Sequence, residues 1–361
     1  MDTSVHISEL TDGEISSILT QILAQLTQKQ DLSPADTERL MTLVMSGKCP
    51  DMLLSAILVA WRMKGENANE FATAAKFMRK IAHKVAISGD NVVDIVGTGG
   101  DGANLFNVST ASSFVVASLG AKVAKHGSTG VSSSSGSSDL LAQAGVNLQL
   151  APDQLAQTLQ SQNMCFMFAP NHHPAMRHAK NVRATLKMRT IFNVLGPLTN
   201  PASAPNTLLG VFDQAWCETL AQALGEIGSR HVWVVASDDG LDEISLAVPT
   251  KVAEYKNGQI TTFYITPEEL GVQRQSLDGL SVSSPAQSLE LIKQALDPNY
   301  SDPRTQKARD IIALNAGVAL YLSGKADNPK VGVSLAKEAM ISGQALQKMH
   351  DFATFTQSFR N

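Results

Sequence analysis

The chain has 361 residues and a formal net charge of −4; 43% of its residues are hydrophobic and 17% charged. A length of this order suits about two domains, and the apolar supply excludes a disordered chain. The small charge excludes a strong global field for nucleic acid or an anionic membrane. Aromatic residues contribute only 5%, which fits an α/β or helical protein better than a β-sandwich.

The stretch from Met1 to Leu10 shows no apolar core behind a basic start, so no secretory signal is expected. Ile15, Ile18, Leu19, Ile22 and Leu26 recur at helical spacing and predict a first helix with one apolar face. Ser33-Pro34 predicts the start of a second, and Gly47 falls where its left-handed cap belongs. Pro50 opens a third helix, Gly65 closes it, and Asn69 to Ala82 supplies a fourth. The apolar run of that region, Met52 to Trp61, is far shorter than the roughly 20 residues needed to span a bilayer.

The pattern then changes. Strands are predicted at Val92–Val96, Lys122–Ala124, Met164–Phe168, Leu208–Phe212 and Val232–Ala236. Helices are predicted between them at Thr110–Ser118, Asp139–Ala144, Pro152–Ser161 and Gln214–Ile227. Alternation of this kind points to a mainly parallel sheet covered by helices. Lys251 to Ile265 reads instead as a hairpin around Asn257-Gly258. Helices return at Ala308–Leu322 and Val333–His350. The expected division is a helical domain over 1–82, an α/β domain over 83–350 and a tail over 351–361. Cys49, Cys165 and Cys217 are odd in number and far apart, as expected of reduced thiols in a cytoplasmic protein.

Four segments carry chemistry. In Asp94-Ile95-Val96-Gly97-Thr98-Gly99-Gly100-Asp101-Gly102 a strand empties into close glycines, which let backbone N–H groups approach an anion. Asn107-Val108-Ser109-Thr110 then opens a helix whose free N–H groups favour phosphate. The spacing is neither that of a Walker loop nor that of a dinucleotide fingerprint, and a plain βα turn competes with phosphate binding on even terms. Lys125-His126-Gly127 can pair with phosphate, although a lone lysine there is more often a surface residue. Asp242-Glu243 suits Mg²⁺, against the commoner reading of a solvated acidic loop. In the cationic stretch Arg177, His178, Lys180, Arg183, Lys187 and Arg189, the residues Arg177, Lys180 and Arg183 are spaced to share one helical face.

Together these segments, with Thr190 to Leu198, Leu314-Asn315-Ala316 and Gly324-Lys325-Ala326, resemble the anthranilate phosphoribosyltransferases over nearly the whole chain. The resemblance implies a small helical domain, joined in space by about 172–190, and a larger α/β domain of the nucleoside phosphorylase/phosphoribosyltransferase type. It implies a homodimer through the helical part. The implied activity moves the phosphoribosyl group of 5-phosphoribosyl 1-pyrophosphate to the amine of anthranilate, releasing pyrophosphate, in tryptophan biosynthesis.

By the same resemblance, Gly97, Thr98, Gly99, Gly100 and Asp101 cradle the pyrophosphate, with Leu105, Asn107, Val108, Ser109 and Thr110 beside them. Lys125, His126, Gly127, Ser132, Ser133 and Ser137 complete the phosphoribosyl site. Gly97, Ser128, His173 and Arg183 take anthranilate. Ser109, Asp242 and Glu243 hold Mg²⁺, as two ions of which one bridges the pyrophosphate. No covalent nucleophile is implied, and neither nucleic acid nor a membrane is an expected partner. The chain departs from the family where asparagine and arginine usually follow the Lys-His-Gly triplet: Ser128 and Thr129 stand there, and Ser134 replaces a frequent lysine. A nucleoside phosphorylase of the same architecture, or a non-catalytic relative that binds nucleic acid or protein, are the alternative readings.

Overall fold

The computed structural model describes residues 10–100, 102–130 and 134–360. Its chain divides into two compact units, residues 1–82 with 173–199 and residues 83–172 with 200–361. The segment that joins the helices thus runs from His173 to Thr199, against the expected 172–190.

The first unit carries helices α1 (Asp12–Thr27), α2 (Pro34–Met45), α3 (Asp51–Lys64) and α4 (Ala68–Ile81). Ile15, Leu19, Ile22 and Leu26 form the buried face of α1, and Thr11 with Glu14 closes a capping box at its start. Ser33 Oγ accepts from Asp36 N (3.1 Å) ahead of Pro34, and Gly47 is left-handed (φ +75°) beyond α2. Glu70 is fully buried, yet its carboxylate is satisfied by Leu32 N (2.8 Å), Asn67 N (2.9 Å) and Lys64 Nζ (2.9 Å). The joining segment adds a 3₁₀ turn over Pro174–Ala179 and an α-helix over Lys180–Leu186. The change of helix type at Ala179 puts Arg177 outside the helix that holds Lys180 and Arg183, so the expected single face does not form.

The second unit is built on a seven-stranded sheet: β1 (Val92–Gly97), β2 (Lys122–Gly127), β3 (Met164–Phe168), β4 (Asn206–Gly210), β5 (His231–Ser237), β6 (Thr250–Lys256) and β7 (Gln259–Ile265). The order is β3-β2-β1-β4-β5-β6-β7, parallel from β3 to β5 and antiparallel beyond. Asn257 (φ +52°) and Gly258 (φ +80°) make the two-residue turn between β6 and β7. The chain winds outward from β1 to β3, then returns to the other side of β1 as β4. This reversal leaves a crevice beyond the carboxyl ends of β1 and β4, the usual place for a ligand in an open α/β sheet. Helix α5 (Val108–Ser118) follows β1 and is buried along most of its length.

Several expectations shift. β2 extends to Gly127, so Lys125, His126 and Gly127 are its last residues. β4 lies two residues earlier than expected and ends at Gly210. Helix Pro285–Leu296 is additional to the expected elements, although Ser284-Pro285 repeats the Ser-Pro start of α2. The single helix expected over Val333–His350 is two, Pro329–Ile341 and Gln344–Gln357, parted by Gly343 in the left-handed region (φ +78°). The second of them continues into the expected 351–361 tail because Phe352 is fully buried in the core. All three cysteines are free and buried, and burial raises each thiol to about 12. No described helix is long and apolar enough to cross a membrane.

Candidate active site

At the crevice, Gly97 of β1 lies in register with Gly210 of β4, and Thr98 N donates to Gly210 O (3.0 Å). Asp242 fills the space that both glycines leave. A Cβ on Gly210 would lie 1.6 Å from Asp242 O, and one on Gly97 would lie 2.4 Å from Asp242 Oδ2. These two residues are glycine for close approach, because both sit in extended strand. Gly99 and Gly100 are glycine for a different reason, with φ +66° and +83°. Gly99 N donates to Asp242 Oδ2 (2.6 Å), so the carboxylate is tied to the glycine loop. Asp101 lies outside the described residues.

The helical ladder of α5 begins with Ala111 N donating to Asn107 O (3.0 Å), which leaves the N–H groups of Ser109 and Thr110 outside it. Thr110 Oγ1 and Thr98 Oγ1 are buried and have no partner among the described residues. Two buried hydroxyls without partners suit a polar ligand. Asn107 plays another part: its Oδ1 accepts from Ser135 Oγ (2.7 Å) and Ser288 Oγ (2.8 Å), and its Nδ2 donates to Ser135 O (3.0 Å). Its side chain ties the serine loop to the start of α5, and Ser288 comes from the additional helix Pro285–Leu296. Leu105 pairs with Ser281 in an isolated backbone bridge and packs partly buried against the core, and Val108 is core.

Lys125 is buried, contrary to the surface reading. Its ammonium donates to Ile95 O and to Ser109 Oγ (3.3 Å). Burial pulls its pKa down, while Asp94, Glu243 and Asp242 pull it up, so both members of the acidic pair act on this ammonium. Asp94, fully buried, accepts from Asn200 Nδ2 (2.7 Å) and His126 N (3.2 Å). Burial pushes its carboxyl up to about 6 against the pull of Lys125.

The serine loop is stapled by Asp139, whose Oδ2 accepts from Gly130 N (2.9 Å) and Gly136 N (3.0 Å). Its spacing from Gly136 is that of an acidic residue in the first helical turn, the signal by which it could have been found. Ser128 O accepts from Ser138 N (3.3 Å) and Ser137 Oγ (3.4 Å), and a Cβ on Gly127 would strike Ser137 Oγ at 2.2 Å. Ser132 and Ser133 lie outside the described residues.

Asp242 and Glu243 are half-buried, not a solvated loop. Among the described residues no cluster of three or more His, Cys, Asp or Glu could hold a metal. Two hard carboxylates beside a hydroxyl fit Mg²⁺ all the same, since that ion takes few protein ligands and completes its shell with water and phosphate oxygens. His173 and Arg183 belong to the first unit. His173 is buried and its Nε2 meets Thr199 O (3.0 Å). Arg183 is half-buried on Lys180–Leu186; burial alone lowers its pKa, and its guanidinium has no hydrogen bond or ion pair among the described residues.

Residues 20–82 match the glycosyl transferase family helical bundle domain, and residues 89–346 match the glycosyl transferase family a/b domain. An anthranilate phosphoribosyltransferase from Psychrobacter sp. (strain PRwf-1) is 50% identical over 99% of both chains. The chain belongs to the anthranilate phosphoribosyltransferase family. Another anthranilate phosphoribosyltransferase, from Pseudomonas fluorescens (strain SBW25), is 50% identical over 96% of this chain and 98% of its own. The crystal structure of anthranilate phosphoribosyltransferase from Thermus thermophilus superposes with a TM-score of 0.86 at 36% identity, covering 93% of this chain and 99% of that one. Anthranilate phosphoribosyltransferase from Saccharomyces cerevisiae in complex with PRPP and Mg gives 0.86 at 28% identity, covering 95% and 99%. Anthranilate phosphoribosyltransferases transfer the phosphoribosyl group of phosphoribosyl pyrophosphate to anthranilate in tryptophan biosynthesis.

Proposed function

We propose that this chain carries out the family's transfer in the crevice between β1 and β4, with the donor's pyrophosphate over the glycine loop and the start of α5. The observation that carries this reading is the meeting of Gly97, Gly99 and Gly210 on Asp242, beside the buried Lys125. The N–H groups of the loop and of Ser109 and Thr110, with the hydroxyls of Thr98 and Thr110, receive phosphate oxygens. Asp242, Glu243 and Ser109 hold Mg²⁺, as two ions. Bound there, Mg²⁺ neutralises charge on the departing pyrophosphate.

The donor's bond from C1 to the pyrophosphate oxygen breaks with its electron pair leaving on pyrophosphate, the anthranilate nitrogen forms the new bond at C1, and that nitrogen then releases one proton to solvent. An aniline-type nitrogen is uncharged at neutral pH, so the chain's task is to position and to stabilise charge, without a covalent nucleophile. Arg183 takes the anthranilate carboxylate in its fork. Lys125, Gly127 and Ser137 form the wall on the phosphoribosyl side, and Asn107 secures that wall through Ser135.

The helical unit joins two copies. Met52 (85% exposed), Ala56, Val59 and Met63 (77% exposed) follow i, i+4, i+7, i+11 along α3, an apolar stripe of the kind that a second helix covers. Three buried free thiols support a reducing, cytoplasmic setting. The test is loss of anthranilate fluorescence: turnover requires both phosphoribosyl pyrophosphate and Mg²⁺, and a folded chain that leaves anthranilate intact with both present refutes the reading.

A further inference from the structure

The loop that carries Asp242 and Glu243 is gripped from a distance by one side chain. Asn315 lies in the middle of helix Pro303–Leu322 and is fully buried. Its Oδ1 accepts from Ile244 N (3.0 Å), and its Nδ2 donates to Ile244 O (3.1 Å) and to Ile311 O (2.9 Å). Both groups of one peptide residue are thus bound by one carboxamide, as a neighbouring strand would bind them. Ile244 directly follows Glu243, and its own side chain is buried in the core.

The loop is pinned elsewhere too. Asp239 accepts from Ser237 Oγ (2.5 Å) and Ser245 Oγ (2.8 Å), and Ser245 N donates to Thr250 Oγ1 (3.1 Å). Asp242 O packs on Gly210. Residues on both sides of the acidic pair are therefore fixed, while the pair itself stays half-buried.

We propose that Asn315 is a positioning residue for the Asp242–Glu243 pair, acting through the backbone of Ile244 and touching no substrate. The proposal rests on the reading of that pair as the Mg²⁺ holder. The chemistry explains the residue type. A clamp on N–H and C=O together needs an acceptor and a donor on one short neutral side chain. Leucine has nearly the same shape, so a residue present only to fill the core could be leucine. Aspartate keeps the acceptor and loses the donor.

Two readouts separate positioning from packing in Asn315→Leu. Hydrogen exchange of the free chain, followed by mass spectrometry, is expected to quicken in the segment 239–247 while β1 to β5 keep native protection. Calorimetry with phosphoribosyl pyrophosphate is expected to show the Mg²⁺-dependent gain in affinity cut about tenfold or more, as for groups that orient metal ligands. Donor binding without Mg²⁺ is expected to stay native. A folded Asn315→Leu chain with native exchange in 239–247 and a native Mg²⁺ gain overturns the proposal. Should that variant fail to fold, Asn315→Asp carries the test by the same two criteria, with a smaller effect expected. The reading beneath fails separately: Asp242→Asn with a native Mg²⁺ gain sinks it, and the exchange of 239–247 in Asn315→Leu then quickens with no change in metal dependence.

Discussion

Gly258 and Gly210 belong to the same sheet and are glycine for opposite reasons. Gly258 has φ +80° and nothing within 4 Å of where its Cβ would be, so only its backbone conformation demands glycine. Gly210 is extended, and its Cβ would collide with the backbone of Asp242 at 1.6 Å. One requirement is local and is written in the dipeptide Asn257-Gly258. The other exists only once the fold has brought the 237–250 loop back over β4. At the crevice Gly97 and Gly210 answer to the second kind of requirement, whereas Gly99 and Gly100 answer to the first.

Substituting both glycines draws the contrast most sharply. Gly210→Ala forces the Asp242 loop away, and displacement on the order of 1 Å at a reacting centre costs roughly 100-fold. Gly210→Ala is therefore expected to lose about 100-fold or more in kcat/KM. Gly258→Ala is expected to cost roughly 1 kcal/mol of stability with activity unchanged. Urea midpoints and steady-state assays on the two variants check this, and comparable activity losses in both erase the distinction.

Arg183→Ala is the next largest. On the proposed reading the half-buried Arg183 receives the acceptor carboxylate, and a hydrogen bond to a charged group is worth about 1.5–3 kcal/mol. The anthranilate KM is expected to rise between about 10-fold and 100-fold, with donor affinity by calorimetry unchanged. A rise in the donor constant instead moves Arg183 to the pyrophosphate side.

Ser128→Asn is smaller and runs the other way. The Ser128 carbonyl holds Ser137 and Ser138, but its hydroxyl makes no hydrogen bond among the described residues, so the side chain can change without loosening the loop. An amide reaches farther and offers both a donor and an acceptor. The expected gain is on the order of 1 kcal/mol, about a fivefold lower anthranilate KM with the donor constant unaltered. An unchanged anthranilate KM removes this position from acceptor recognition.

A further effect concerns stability alone. The Asp94 carboxyl is at about 6 in the folded chain and near 3.8 as a free side chain. The native state therefore keeps a proton that the unfolded chain has lost, and this group's contribution is full below about pH 4 and declines as pH rises to about 6. The amide introduced by Asp94→Asn does not titrate. The stability of the native chain relative to that variant is therefore expected to fall between about pH 4 and 6 and to level off above. Parallel urea midpoints across that window contradict the assignment.

What could be read in the sequence follows the same division. The cap at Ser33, the turn at Asn257-Gly258 and the alternation of strand and helix depend on neighbours a few residues away, and each is found close to its expected place. The order of the glycine loop, the Lys-His-Gly triplet and the acidic pair is sufficient to indicate the family. Lys125 reads as a surface lysine because its partners, Ile95 O and Ser109, come from the adjoining strand and α5. The structural duty of Asn107 depends on Ser288, which lies on a helix absent from the expected elements, although Leu289, Ile292 and Leu296 fall at helical spacing there. Asn315 belongs to a recognised motif, but only the packed helix shows what it holds.

Calorimetric titration of phosphoribosyl pyrophosphate, with and without Mg²⁺, into the native chain and into the double variant Asp242→Asn, Glu243→Gln tests the central claim most directly. Mg²⁺ is expected to strengthen donor binding in the native chain, and the double variant is expected to lose that gain while its Mg²⁺-free affinity is no weaker than native, because two negative charges beside the pyrophosphate are gone. Equal Mg²⁺ dependence in the two chains, or no donor binding by the native chain at all, would contradict it.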